Sequence, residues 1–144
     1  MVERLCPHKP VKAFAYALVI WLVGFVWGSI VFMTPALRAT APIPYISSNP
    51  TISFPILLIW TVLALLFARS YLKGAAEPER EGFRLGVVFT LVNFALDLIV
   101  LVFLLKTGFK YFVSASVWFA YATLMLIPWL TGRTLERSSA NPES

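Results

Sequence analysis

An aspartate stands inside a long apolar run. Asp97 lies between Phe83 and Leu105, and Arg84 at the start of that run is its only other charged residue. A charged carboxylate near the centre of a bilayer costs on the order of 3 kcal/mol or more. Arg84 is 13 residues earlier. It would sit about 20 Å away along a helix rising 1.5 Å per residue, too far to pair. Gly86, Thr90, Asn93 and Asp97 recur at i, i+4, i+7 and i+11, one stripe of a helix. Asn93 and Asp97 are neighbours on the stripe and are expected to hydrogen-bond each other. Hydrocarbon offers such groups no partners, so the stripe must face protein or water. Cross-helix candidates are Tyr121, Ser114, Ser116, Thr123 and Thr61.

Three kinds of chemistry suit this constellation. In the first, Asp97 and Asn93 are interhelical glue, with bonds worth about 0.6–2 kcal/mol each. In the second, Asp97, Asn93, Thr90 and Tyr121 form a proton- or cation-binding site of a small transporter or channel. In the third, the acid contacts a partner subunit or cofactor in a larger complex. The glue reading leads, because proton relays and ion sites ordinarily assemble several polar groups and Asp97 is isolated.

The elements that must position these residues are visible as four apolar stretches, at about 13–33, 53–72, 83–105 and 111–131. Each has about the 20 residues that a helix needs to cross roughly 30 Å of hydrocarbon. None alternates apolar with polar residues, as barrel strands must. Gly74, Gly108 and Gly132 fall just past the ends of the last three, where a left-handed residue commonly stops a helix. Pro55 is read into the first turn of the second helix, where a missing N–H is harmless, and Pro78 opens the third. The turn from Lys106 to Lys110 makes the third and fourth helices a hairpin, and the short link from Gly74 to Gly82 pairs the second with the third. A Pro-rich connection, about 34–52, is expected to lie extended over the outer face. Gly24 and Gly28 form a GxxxG in the first helix, with Ala17 nearby; with Gly86 they are the expected packing glycines. Ala64 and Ala68 make a weaker face of the same kind.

Composition supports the membrane. Hydrophobic residues are 59% of the chain and charged residues 13%, against about 45–50% and 25% in soluble domains. The net charge of +5 tracks topology rather than nucleic acid. Arg4, Lys9, Lys12, Arg69, Lys73, Arg80, Arg84, Arg133 and Arg137 fall on one side; Arg38, Lys106 and Lys110 fall on the other. Lysine and arginine concentrate on the cytoplasmic side, which places both termini there. Tyr16, Tyr71, Tyr111 and Trp129 are read as interfacial aromatics. The basic N-region, apolar core and Ala39-Thr40-Ala41 resemble a cleaved secretory signal, but the core is long and Pro42 follows the would-be cut. The first segment is therefore read as a retained helix.

Several chemistries are excluded. Cys6 is the only cysteine and His8 the only histidine, so neither a disulfide nor a His- or Cys-based metal or haem site can be assembled within the membrane. No Ser/His/Asp arrangement or phosphate-binding glycine loop is present, and enzymatic activity is not expected. No cofactor is expected.

Tyr71-Leu72-Lys73, Glu81-Gly82-x-x-Leu85-Gly86 and Asn93-x-x-x-Asp97-Leu98 together resemble a pattern of small prokaryotic four-helix integral membrane proteins of unknown function. The resemblance covers the middle third best. It implies a shared pattern for Gly86, Asn93 and Asp97, and no activity. The sequence lacks the helix-one glutamate of small multidrug exporters and the arginine and asparagine pattern of membrane glutathione transferases. The reading is thus an all-α, four-helix antiparallel integral membrane bundle forming a single membrane domain over residues 1–144. Its expected location is a prokaryotic plasma membrane, with both termini cytoplasmic. The expected function is a non-enzymatic structural or accessory subunit, or a self-associating bundle; a small transporter or channel is the alternative.

Overall fold

The computed structural model describes residues 9–38, 50–106, 108–113 and 115–141. Arg4, Cys6, His8, Ala39-Thr40-Ala41, Pro42, Pro44 and Ser114 lie outside the described residues, as does most of the Pro-rich connection. The described chain is helical: α1 (Pro10–Met33), a short α2 (Pro35–Arg38), α3 (Pro50–Leu72), α4 (Pro78–Leu96), which continues as a π-helix (Asp97–Leu104), a 3₁₀ turn (Phe109–Val113) and α5 (Ala115–Ala140). Four of these helices, α1, α3, α4 with its π extension, and α5, are long and apolar enough to cross a membrane, which points to an integral membrane protein.

Proline begins the first four α-helices, at Pro10, Pro35, Pro50 and Pro78. The first N–H groups of a helix have no partner inside it, and proline's fixed φ is already helical, so it suits this position. Pro55 is not in a first turn: α3 begins at Pro50, leaving Pro55 inside it. Gly74 and Gly108 do adopt left-handed backbone, φ 77° and 72°, and Lys106 joins them at φ 52°, which lets the link before the 3₁₀ turn reverse tightly. Gly132 is no terminator, because α5 runs through it to Ala140. Tyr111 likewise precedes α5, on the separate 3₁₀ turn.

The helices form a ring in which α1 packs on α3, α3 on α5, α5 on α4 and α4 on α1. The third and fourth spanning helices are therefore the expected antiparallel neighbours. The second and third are not: α3 touches α4 only slightly, and lies mainly against α5 and α1. Glycine explains the preference. A Cβ on Gly82 would collide with the Pro128 carbonyl, one on Gly86 with the Met125 carbonyl, and one on Gly132 with the Pro78 carbonyl. The α4 and α5 backbones thus touch directly, through a Gly82-x-x-x-Gly86 face answered by Gly132. In lipid, where apolar burial gives helices little reason to associate, such close packing is a main source of attraction.

Alanines line the α1 and α3 sides of the core. Ala13, Ala17, Ala64 and Ala68 are fully buried, together with Ile20, Phe89 and Leu124. Gly24 packs against the Trp60 ring, and Gly28 is also buried. Large apolar side chains, including Leu22, Val26, Leu58, Leu66, Leu91, Phe103, Phe119 and Leu126, point outward, as a lipid-embedded bundle requires. Polar contacts gather at the end bearing the start of α1 and the end of α5. Lys12 Nζ donates to the Ser70 carbonyl at 3.3 Å. Trp129 Nε1 donates to Glu79 Oε1 at 3.3 Å. The Glu79 backbone N–H, in the first turn of α4, donates to Glu136 Oε2 at 3.0 Å. Glu136 on α5 therefore serves an α4 donor that has no partner within its own helix.

Candidate functional site

Asp97 is buried at the junction where α4 passes into the π-helix. Its N–H still bonds back to the carbonyls of Asn93 and Phe94, while farther on the Leu105 N–H reaches the Val100 carbonyl, five residues back, at 2.8 Å. Such wider turns are rare and recur at functional sites. Three donors converge on the carboxyl. Trp21 Nε1 of α1 donates to Oδ1 at 2.8 Å. Tyr111 OH of the 3₁₀ turn donates to Oδ2 at 3.2 Å. Tyr121 OH of α5 donates to the same oxygen. One side chain thereby links four elements, and the ion pairs Arg80–Glu77 and Arg84–Glu81 lie elsewhere, on side chains that are exposed or half-buried.

Aromatic packing holds the two phenols in place. Phe94 meets Tyr121 edge to face at 5.9 Å between centroids and Phe112 at 5.3 Å. Phe112 also meets Tyr111 at 5.2 Å and nearly perpendicular. Such pairs add about 0.5–1.5 kcal/mol beyond area burial. The 3₁₀ turn, too short for a spanning element, folds Tyr111 into this cluster.

The polar stripe is real but its bonds differ from those expected. Asn93 does not bond the Asp97 side chain. Its Nδ2 donates to the Ala17 carbonyl of α1 at 3.3 Å and to the Phe89 carbonyl of its own helix at 2.8 Å. Thr90 Oγ1 lies 3.5 Å from the Tyr121 carbonyl, a long contact between α4 and α5. Gly86 faces Met125, as described. Of the proposed cross-helix partners, Tyr121 reaches Asp97. Thr61 and Thr123 instead donate to carbonyls of their own helices, Leu57 and Phe119, and Ser116 is half-buried in the first turn of α5.

Trp21, Tyr111 and Trp60 were not singled out from sequence as site residues. Tyr111, read as an interfacial aromatic, is 2% exposed and belongs to the hub. A signal for Trp21 does exist in the sequence: an indole N–H deep in a charge-free apolar stretch needs an acceptor, and Asp97 is the only acid within the four apolar stretches. Next to the hub is a cavity of about 20 Å³ bordered by Trp21, Gly24, Phe25, Trp60, Asp97 and Tyr111. The described residues contain no group of three His, Cys, Asp or Glu able to hold a metal. The arrangement can accept hydrogen bonds and hold a proton, but it pairs no nucleophile with a base.

Comparison with protein-family models, curated proteins and solved structures found no match to this chain.

Proposed function

We propose that the protein is a non-enzymatic integral membrane bundle of a prokaryotic plasma membrane, acting as a structural or accessory subunit or by self-association, with Asp97 as its assembly hub. The observation that carries this reading is the convergence of three donors from α1, the 3₁₀ turn and α5 on one carboxyl of α4. A group bonded in this way fixes how elements meet, and an unpartnered buried donor is costly to leave behind. Cytoplasmic termini are part of this proposal, on the rule that lysine and arginine concentrate on that side. Lys9, Lys12, Arg69, Lys73, Arg80, Arg84, Arg133 and Arg137 lie toward one end, against Lys106 and Lys110 toward the other.

A second reading, a small transporter or channel with a proton or cation at Asp97, is favoured by the cavity that borders the acid. Purified protein in liposomes carrying a pH-sensitive dye separates the two. The hub reading expects proton and alkali-cation flux equal to that of protein-free vesicles. A flux that Asp97→Asn abolishes would replace it with the transporter reading.

A further inference from the structure

We propose that the cavity between Trp60 and Asp97 is a binding site for one water molecule, which links the Trp60 indole N–H to the Asp97 carboxyl. Trp60 is 5% exposed, and its Nε1 is buried with no hydrogen-bond partner among the described residues. An indole nitrogen can only donate, and a donor buried without a partner costs about as much as a lost hydrogen bond. Trp60 and Asp97 border the same cavity.

The carboxyl has capacity to spare on the relevant oxygen. Oδ2 accepts from both tyrosines, whereas among the described residues Oδ1 accepts only from Trp21. A carboxylate oxygen accommodates about two donors, so one position on Oδ1 remains. Water fits both ends, accepting from Trp60 and donating to Oδ1. If the acid is protonated on Oδ1, the same water accepts from both groups, so the site holds in either form. The space is also of the right size. A cavity of about 20 Å³ exceeds the roughly 10–15 Å³ that one buried water requires. Gly24 provides that room. It borders the cavity, and a Cβ there would collide with the Trp60 ring and lie 3.2 Å from Nε1.

The test is infrared spectroscopy of the purified, lipid-embedded protein in ordinary and ¹⁸O-labelled water. The wild type is expected to show a discrete water O–H stretch that shifts with ¹⁸O. Trp60→Phe, which keeps a ring but removes the donor, should lose that band while circular dichroism stays helical. Absence of the band from the wild type, or its persistence unchanged in the variant, overturns the proposal. Should Trp60→Phe not fold, benzothienylalanine at position 60 replaces the N–H with sulfur at nearly constant shape, and the same two outcomes decide. An experimental map resolving ordered water gives an independent reading. Density between Nε1 and Oδ1 supports the site, and a side chain or lipid filling that space refutes it.

Discussion

Trp21 and Asp97 stand 76 positions apart in the chain and meet in a buried hydrogen bond of 2.8 Å from Nε1 to Oδ1. Removing the acceptor leaves Trp21, Tyr111 and Tyr121 as buried donors, each costing about 1–3 kcal/mol if nothing replaces the bond. Asp97→Leu is therefore expected to destabilise the bundle by about 2 kcal/mol or more. Asp97→Asn should cost less than Asp97→Leu, because its amide oxygen still accepts from Trp21 and its NH₂ donates to the phenol oxygens. Titration of the protein in mixed micelles with dodecyl sulfate, followed by near-ultraviolet circular dichroism, measures both. Equal losses for the two variants would contradict the hub.

Tyr111 and Tyr121 share Oδ2, so their contributions should not add. With one phenol gone, the other still satisfies that oxygen. Tyr111→Phe and Tyr121→Phe are each expected to be mild, and the double variant to lose at least about 0.5 kcal/mol more than the two single losses together, within the range seen for residues sharing a partner. Strict additivity in the same titration would show that the two hydroxyls act on separate acceptors.

How much of this was readable beforehand depended on how local the signal was. The four helices long enough to cross a membrane follow from runs that carry almost no charge, and burial of Asp97 follows from the cost of exposing it to an apolar solvent. The bond from Asn93 went elsewhere because its amide, one turn from Asp97, reaches the Ala17 carbonyl across the α1 interface; helical spacing alone does not reveal that neighbour. Tyr111 was ambiguous, since a tyrosine near a helix end suits a water interface as well as a folded-back turn. Gly132, between an apolar run and Arg133, has the local look of a helix end. Its role is set by a distant neighbour, the close approach of Pro78 on α4, which leaves no room for a Cβ. The ring order was hidden for the same reason. Short links constrain where helices begin, while the Gly82, Gly86 and Gly132 contacts determine which of them touch.

Those contacts predict a ranking of glycine substitutions. At Gly86 the obstacle is the Met125 backbone, which cannot turn aside, so Gly86→Ala must separate α4 from α5. Overpacking of this kind costs about 1–3 kcal/mol. At Gly24 the obstacle is the far edge of the Trp60 side chain, which can move. Gly24→Ala is expected to cost less in stability and to change tryptophan fluorescence more. Gly86→Ala should do the reverse. A Gly24 variant that proves the more destabilising of the two would mean that the α1–α3 contact, rather than α4–α5, is the tight one.

The orientation yields the last prediction. Cys6 is the only cysteine, so Cys6→Ser provides a background in which a single introduced thiol reports one position. Lys106 and Ser139 are exposed near opposite ends of the bundle. Ser139→Cys leaves the charge pattern untouched. Lys106→Cys removes one positive charge from the sparser side, which strengthens the existing bias rather than reversing it. On intact cells, a membrane-impermeant maleimide is expected to label Lys106→Cys and to leave Ser139→Cys unmodified until the membrane is permeabilised. The reverse pattern would invert the topology. Labelling of both positions on intact cells would mean that the chain inserts in two orientations, which a bias of nine basic residues against three should prevent.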